Sequence, residues 1–353
     1  MYVSCKEFLA EEVLMRGVSS LGQRVNDRQN FWLCFAAVRH CSTRPGCFLA
    51  ISPITIDDCQ CSRKDPGENI ERHFKGRIYN ANSGIPSDHK LAVLVPFRDR
   101  FEELLAFAPY LHDFLNKQEI SHHIYILNQV DHYRFNRASL INVGFRIARD
   151  ECDYIAMHDV DLLPLNSQLR YSYPETGPFH IASPDLHPRY HYPTFVGGIL
   201  LIKREHFELV NGMSNKYWGW GLEDDEFYVR LKEAGLNVSR PVNITTGTEN
   251  TFKHTHDRTH RKRDMTKCFK QRDVTRRRDR QTGLADVVYK LTGIHELKID
   301  GAPITVINIV LSCDKRLTPW CNCSDTGGKK PSSETNAAES NIGNKNNKNI
   351  LNQ

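Results

Sequence analysis

The sequence has no hydrophobic run long enough to cross a membrane. Its longest apolar stretch near the N-terminus, Phe31 to Val38, is broken by Arg39 and His40, whereas a bilayer-spanning helix needs roughly 20 apolar residues. We therefore expect neither a membrane helix nor a signal peptide in this sequence. Internal repeats are also absent, which argues against a repeat architecture.

The sequence also has little net charge, with 47 Lys and Arg against 42 Asp and Glu. The excess lies in one segment, Lys253 to Arg280, which holds 12 Lys and Arg against 4 Asp and Glu. The plain interpretation is a solvated helix face; the alternative is a surface for polyanions such as diphosphate donors, acidic glycans or nucleic acid. The segment lacks interleaved aromatic residues that stack on bases, so we expect no nucleic-acid partner.

Cysteine, in contrast, is plentiful: the chain has 11, six of them within the first 61 residues. Few cytosolic proteins carry so many, and Cys313 and Cys321 bracket a short loop that a disulfide could close. Three Asn-x-Ser/Thr sequons begin at Asn237, Asn243 and Asn322. Together these features favour the secretory lumen.

Composition divides the chain into three parts. Residues 1–85 show no sustained hydrophobic period and are predicted to be a stem-like or otherwise unassigned region that ends in a polar linker. Residues 86–325 carry the periodic pattern of a folded domain. Residues 326–353 are mostly Asn, Lys, Ser and Gly, cannot bury enough surface to offset chain entropy, and are predicted to be disordered.

Strands and helices alternate within the folded domain. Leu91 to Val95 is a continuous apolar run typical of a central parallel strand, and the apolar spacing from Arg100 to Asn116 predicts a helix that faces the core. Strands are also predicted at His123 to Leu127 and Asp153 to His158, with a helix capped by Asn136 between them. Later elements are a strand at Gly198 to Ile202, helices at Arg204 to Val210 and Glu223 to Ala234, and a strand at Thr305 to Leu311. This order predicts an α/β fold with a doubly wound, mostly parallel sheet and helices on both faces.

Two carboxylates follow the third strand. Asp159 and Asp161 are spaced i, i+2 at its C-terminal end, so they are predicted to project to the same side, at the edge where open α/β sheets bind ligands. Two acids so close repel each other unless a cation lies beside them. The pair therefore indicates a divalent metal site.

Two imidazoles later in the chain could complete that site. His254 and His256 are also spaced i, i+2, on a predicted extended segment, although a His-x-His motif is often only a surface pair. Joined to the Asp161 carboxylate, they form a mixed nitrogen and oxygen set with room for diphosphate oxygens, which suits Mn²⁺ better than a metal that prefers thiolates. On ligands alone, zinc-dependent hydrolysis stays open.

Glycines, indoles and acids are concentrated between Trp218 and Glu226. Trp218 and Trp220 alternate with glycines before four acids at a predicted helix start, and a helix cap needs only one acid. Tryptophan faces stack on sugar rings, carboxylates bind sugar hydroxyls, and a Gly-Trp-Gly hinge can close over a ligand. The structural alternative is two core tryptophans and an acidic first turn.

Five motifs, in this order and spacing, resemble the β1,4-galactosyltransferase family: Pro96-Phe97-Arg98-Asp99-Arg100, Phe135-Asn136-Arg137-Ala138, Asp159-Val160-Asp161, Val196-Gly197-Gly198 and Trp218-Gly219-Trp220-Gly221-Leu222-Glu223-Asp224-Asp225. The His254-Thr255-His256-Asp257 motif, the basic stretch that starts at Arg261 and the ending Pro319-Trp320-Cys321 look like the members that act on xylose. The match covers roughly Lys90 to Cys321.

The resemblance implies a GT-A catalytic domain, Mn²⁺ as cofactor, UDP-galactose as donor, and xylosylated proteoglycan core proteins, through a serine-linked β-xylose, as acceptors. Carried over by motif, the donor would be bound by Pro96, Phe97, Arg98, Arg100, Phe135, Arg137, Asp159 and Gly198. Mn²⁺ would be bound by Asp161, His254 and His256. The sugars would be bound by Phe195, Glu223, Asp224 and Asp225, with Trp220 as a mobile lid.

The implied reaction inverts the anomeric carbon of galactose, so a single in-line displacement is enough. It needs one base and one group that stabilises the leaving UDP. Asp224 would take the proton from the xylose 4-hydroxyl, and Mn²⁺ would neutralise the charge that develops on UDP.

Two features depart from the family. Its members are usually type II Golgi membrane proteins, so the resemblance implies the Golgi lumen and a membrane anchor that is not evident in this sequence. Phe195 stands where the family usually has a tyrosine that helps to restrict the donor to galactose. Losing that hydroxyl could loosen discrimination against N-acetylgalactosamine.

Three other functions stay open on sequence alone. A related galactosyl- or N-acetylgalactosaminyltransferase could use another acceptor, such as N-acetylglucosamine. A carbohydrate-binding module would keep the tryptophans but would not need Asp161, His254, His256 and Asp224 together. A metallohydrolase would need a metal-bound water but no nucleotide cradle at Pro96 to Arg100.

Overall fold

The computed structural model describes residues 88–256 and 262–325. Its nine strands within these ranges are β1 (Leu91–Phe97), β2 (His122–Gln129), β3 (Tyr154–His158), β4 (Leu162–Pro164), β5 (Phe179–His180), β6 (Ile199–Lys203), β7 (Phe252–His254), β8 (Tyr289–Ile299) and β9 (Ala302–Leu311). The α-helices are α1 (Phe101–Asn116), α2 (Arg137–Ala148), α3 (Arg204–Leu209), α4 (Glu223–Glu233), α5 (Gly247–Asn250) and α6 (Gln271–Val274).

Seven strands form one sheet with the order β5-β6-β3-β1-β2-β9-β8, and β4 pairs with β7 in a second, two-stranded sheet. Strand β1 runs parallel to both β2 and β3, and β2 runs parallel to β9. The outer strands β5, β6 and β8 pair antiparallel with their neighbours. The sheet is therefore mostly parallel at its centre, as predicted.

The central strands are buried on both faces. Along β1, Leu94 contributes to one hydrophobic cluster, whereas Val93 and Val95 contribute to the other. Residues of α2 lie in the first cluster and residues of α1 in the second. This arrangement confirms the doubly wound fold with helices on both faces, and it explains the unbroken apolar run of β1.

Helix ends agree with the sequence signals. The Asn136 side chain caps α2 by accepting a hydrogen bond from the Ser139 N–H at 2.9 Å. Helix α4 ends just before Gly235, whose φ of +72° is in the left-handed region that glycine favours. The unassigned N-terminal region and the predicted disordered tail lie outside the described residues, so the three-part division stays a prediction.

The basic segment is not a solvated helix face. Its described part contains only one helix, the four-residue α6, and the rest follows an irregular path with a short contribution to β7. Its Arg278 pairs with two glutamates of α4, at 2.6 Å from Glu226 and 2.9 Å from Glu233. Positive charge in this segment therefore serves partly to hold α4.

Two disulfides tie down the end of the described chain. Cys313 pairs with Cys321, as the sequence suggested, and Cys268 pairs with Cys323, which the sequence did not reveal. Cys152 is a free, buried thiol. Within 88–256 and 262–325, no helix combines the length and apolarity that a membrane span requires.

Candidate active site

The predicted metal ligands come together through the small β4–β7 sheet. In its register Leu162 lies opposite His254, and the Thr255 N–H donates to the Asp161 carbonyl oxygen at 2.8 Å. This pairing carries the segment of His254 and His256 to the C-terminal end of β3. Residues far apart in sequence thus meet at the ligand-binding edge of the sheet.

Both imidazoles point at the Asp161 carboxylate. Its Oδ2 lies 3.2 Å from Nδ1 of His256, and its Oδ1 lies 3.9 Å from Nε2 of His254. Arg100 also reaches this point, with Nη1 3.2 Å from His256 Nδ1. Among the described residues, no three His, Cys, Asp or Glu side chains are arranged closely enough to coordinate one ion. Asp161, His254 and His256 would therefore have to reorient to bind a metal.

The donor chemistry fits Mn²⁺. Burial, with help from Arg189 and Arg100 respectively, lowers the pKa of His254 and of His256 to about 4. Both rings are therefore neutral near pH 7 and offer lone pairs. Burial, followed by Asp159, raises the pKa of Asp161 to about 6. Two neutral imidazoles and one carboxylate are the mixed set that suits Mn²⁺.

Asp159 and Asp161 have different partners. The Asp159 Oδ1 accepts a hydrogen bond from Nε of Arg137 at 2.8 Å, whereas Asp161 faces the two histidines. The same Arg137 donates through Nη1 to Asp224 Oδ1 at 3.0 Å. One guanidinium, placed in the first turn of α2, therefore joins the end of β3 to the start of α4.

Asp224, the second residue of α4, has the properties of a general base. Burial raises the pKa of its carboxyl to about 7, Arg137 opposes the shift, and Glu223, Asp159 and Asp225 add to it. A carboxyl group that titrates near neutrality can accept a proton efficiently at physiological pH.

Two glycines, Gly197 and Gly198, lie directly before β6, and Gly197 leaves the space that the Asp224 carboxyl group occupies. A Cβ on Gly197 would lie 2.4 Å from Oδ2 of Asp224 and 2.6 Å from the ring of Phe195, so only glycine fits. Gly198 has a φ of +76°, which glycine tolerates best. Phe195 is buried, with its ring edge-on to those of His180 and His187.

The two tryptophans differ. Trp218 is 2% exposed and packs in the core, whereas Trp220 is 38% exposed. Trp220 contacts the basic segment at three points. Its backbone N–H donates to the Asp264 carbonyl oxygen at 2.9 Å, and its backbone carbonyl oxygen accepts from the Lys267 ammonium group at 3.0 Å. The Arg263 guanidinium carbon lies 4.8 Å from the centre of its indole ring. Only Trp220 therefore offers a face for stacking on a sugar.

The four acids in the first turn of α4 also differ in their surroundings. Glu226 is buried and accepts two hydrogen bonds from Nε of Arg230, at 3.0 and 2.9 Å, in addition to its pair with Arg278. The structural explanation is thus correct for Trp218 and Glu226. Glu223, Asp224 and Asp225 are partly exposed and stay available to a ligand.

The residues predicted to bind the donor nucleotide differ in their surroundings. Phe97 is buried within β1, and Arg98 donates to the backbone carbonyls of Gln129, Asp131 and Tyr133 at 2.7 to 3.1 Å. The Arg98 guanidinium carbon lies 5.9 Å from the ring centre of Phe135. Arg98 thus holds the β2–α2 connection in place, whereas Arg100 faces the candidate metal ligands through His256.

Sequence reasoning missed Arg134, which anchors the segment of Trp220. Its Nε pairs with Asp264 at 2.5 Å, its Nη1 donates to Gln271 at 2.8 Å, and its Nη2 donates to the Thr266 carbonyl at 2.7 Å. A Cβ on Gly219 would collide with this guanidinium at 2.0 Å. Its position next to the Phe135 motif was the available signal.

His187 was also missed. Its Nδ1 accepts hydrogen bonds from the N–H groups of Arg189 and Tyr190, at 3.0 and 3.1 Å. Its ring packs against Phe195 at 5.1 Å and lies 6.4 Å from that of His254. His187 therefore lies between Phe195, which packs near Asp224, and the candidate metal ligand His254. A single histidine in a sequence gives no sign of such a role.

Comparison with known proteins agrees with this geometry. Two family models match: "N-terminal region of glycosyl transferase group 7" over residues 58–174 and "N-terminal domain of galactosyltransferase" over residues 177–255. The chain is 62% identical over 300 residues to beta-1,4-galactosyltransferase 7 of Drosophila melanogaster, covering 81% of this chain and 92% of that protein. It is 50% identical over 240 residues to the xylosylprotein 4-beta-galactosyltransferase of Caenorhabditis elegans, covering 67% and 83%.

Solved structures agree as well. The catalytic domain of the Drosophila enzyme in complex with xylobiose matches with a TM-score of 0.66 and 64% identity, covering 67% of this chain and 99% of that one. A mutant of that enzyme, in complex with manganese, UDP-Gal and xylobiose, matches equally well. By its fold, this protein is a glycosyltransferase of the GT-A class. The chain belongs to the β-1,4-galactosyltransferase family.

Proposed function

We propose that this protein transfers galactose from UDP-galactose to the 4-hydroxyl of xylose on proteoglycan core proteins, with Mn²⁺ as cofactor and inversion at the anomeric carbon. The observation that carries this conclusion is 62% identity over 300 residues to beta-1,4-galactosyltransferase 7, together with the Mn²⁺, UDP-Gal and xylobiose bound to the mutant of that enzyme. The reaction builds the linkage from which glycosaminoglycan chains grow.

We assign the metal to Asp161, His254 and His256. Their convergence through β7 and the neutral state of both imidazoles support this assignment. When bound there, Mn²⁺ supplies the positive charge that stabilises the leaving diphosphate. Arg100, 3.2 Å from His256, lies where it can contribute a second cation to the same phosphates.

Asp224 acts as the base that takes the proton from the xylose hydroxyl. Its raised pKa and its contact with Arg137 support this role. Arg137 holds the carboxylate in place and is shared with Asp159, which we assign to the ribose side of the donor. Pro96, Phe97, Arg98, Phe135 and Gly198 would then shape the donor site mainly through the backbone and loops that they fix.

Glu223, Asp225 and Trp220 complete the sugar site. The Tyr192 hydroxyl donates a hydrogen bond to Asp225, which lowers the pKa of this carboxyl against the larger effect of burial. Trp220, partly exposed at the start of α4, is placed to cover the bound sugars. Phe195, buried beside Gly197, limits the space around the donor sugar without offering a hydroxyl.

We further propose that the protein works in the Golgi lumen, with 86–325 as its catalytic domain, 1–85 as a stem-like region and 326–353 as a disordered tail. The disulfides Cys268–Cys323 and Cys313–Cys321 support an oxidising compartment.

One assay tests the main proposal. UDP release from UDP-galactose is measured with a β-xyloside, with an N-acetylglucosaminide and with no acceptor, each with and without Mn²⁺. Turnover is expected only with the xyloside and Mn²⁺. Preference for the N-acetylglucosaminide would instead favour a transferase with another acceptor, and UDP-N-acetylgalactosamine in place of the donor tests the effect of Phe195.

A further inference from the structure

A pocket of about 250 Å³ lies between α4 and the loops that face it. Helix α4 supplies Tyr228 and Lys232, and the loops around it supply the remaining wall, chiefly Pro193, Leu236, Asn237 and Arg240. We call it the side pocket. No role assigned above to the donor, the metal or the xylose uses it.

The side pocket continues the acceptor site along one face of α4. Asp225, Tyr228 and Lys232 are spaced i, i+3 and i+7, which places them on the same side of the helix. At 1.5 Å per residue, Lys232 lies roughly 10 Å along the axis from Asp225. On the facing loop, Pro193 follows Tyr192, whose hydroxyl bonds to Asp225.

The lining is cationic and its charges are not neutralised. Within the described ranges, no carboxylate lies within ion-pairing distance of Lys232 or Arg240, and neighbouring Glu233 is occupied by two arginines. The Arg240 Nη2 donates to the Pro193 carbonyl at 2.5 Å, and its Nε is buried without a hydrogen-bond partner in the described structure. A buried N–H without an acceptor is costly, so Arg240 would gain from a rearrangement that brings an anionic oxygen to this N–H.

We propose that the side pocket binds an acidic side chain of the acceptor polypeptide, next to the xylosylated serine. This inference rests on the proposed function, because it requires a xylosylated protein as substrate. Lys232 would supply a mobile ammonium group and Arg240 a fixed N–H, a combination that favours a carboxylate through charge-assisted hydrogen bonds. The enzyme would thus read the peptide as well as the sugar.

Kinetics with three acceptors test this inference. Two are xylosylated peptides that differ only in having Glu or Gln beside the serine, and the third is methyl β-xyloside. For the wild type, KM is expected to be about three- to tenfold lower for the Glu peptide, as for a partly exposed ion pair. In Lys232→Glu this preference should vanish or reverse, while kinetics with methyl β-xyloside stay unchanged.

A matched control is Lys290→Glu, which makes the same charge change at an exposed lysine on β8. It should keep the wild-type preference. Equal KM values for the two peptides with wild type, or an undiminished preference in Lys232→Glu, would overturn the inference. Failure of the wild type to use any xyloside would instead contradict the proposed function, so the two failures can be told apart.

Discussion

Asp224 is fixed from two sides, by Arg137 at 3.0 Å and by the bare backbone of Gly197. Replacing it by Asn keeps the size and most hydrogen bonds but removes the ability to accept a proton. We expect Asp224→Asn to lose about 10² to 10⁴ in kcat, the usual contribution of a general base. Turnover is followed by UDP release. Calorimetry should show unchanged UDP affinity, and a kcat within tenfold of wild type would assign the base elsewhere.

The pH dependence follows from the same carboxyl. Because burial raises its pKa to about 7, Asp224 is increasingly protonated, and therefore inactive as a base, as the pH falls below that value. We expect kcat/KM to decline on the acid side of about pH 7. Since Arg137 lowers the pKa of Asp224, Arg137→Gln should move this decline to higher pH in addition to weakening activity. A profile that is flat between about pH 6 and 8 would contradict this assignment.

The sequence predicted the role of a single residue where the residue type and its spacing are typical of one kind of site. Asp161, His254 and His256 are the ligand types of a metal site, and the structure brings them together. Arg134 and His187 were not predictable, because their roles depend on backbone atoms of distant loops that only the fold brings near. Glu226 was misleading, because its sequence position in the acidic turn does not show that it points to Arg230.

At the scale of elements, α4 depends on a buried charge cluster. The side chains of Glu226 and Arg230 are 3% and 2% exposed and face each other at 2.9 Å. Glu226→Ala would remove the nearer of the two carboxylates that face the buried Arg230 and leave only Asp279, at 3.8 Å, so we expect the free energy of unfolding to fall by about 3 kcal/mol. Urea unfolding measures this. The control is Glu233→Ala on the same helix, whose surface pairs with Arg278 and Arg280 should contribute little; a similar loss in both variants would contradict the buried-pair argument.

Strands and helices with a regular hydrophobic pattern were predicted well, whereas those without such a pattern were not. Strands β1 to β3 and helices α1 and α2 agree with the apolar runs and spacing in the sequence. Strand β8 was missed because its burial pattern is irregular and its pairing with β9 shifts at Leu291 and Gly293. For the basic segment, the interpretation as a solvated helix face was wrong, because charge alone has no helical period. Contacts with Arg134, Trp220 and α4 set the path of this segment instead.

At the scale of the whole molecule, substrate binding should be ordered. Gly219 and Gly221 flank Trp220, with φ angles of +82° and +100°, so this segment can change conformation around the indole. If Trp220 closes over UDP-galactose, it completes the surface on which xylose stacks, which couples the two sites positively. We expect xyloside to bind severalfold more tightly, by calorimetry, to enzyme with Mn²⁺ and a non-transferable UDP-galactose analogue than to enzyme alone. Equal affinities would argue against ordered binding while leaving the base assignment intact.

The disulfide between Cys268 and Cys323 has a practical consequence for making this protein. It closes a loop with a sequence separation of 55 residues, and chain-entropy arguments give such a crosslink about 4 kcal/mol of stabilisation. The loop includes the two final strands of the sheet, and one end of it lies beside the Arg134 contacts that hold Trp220. Bacterial cytoplasm, where thiols stay reduced, is therefore a poor host for recombinant expression, and secretion or oxidative refolding is the better route to active enzyme.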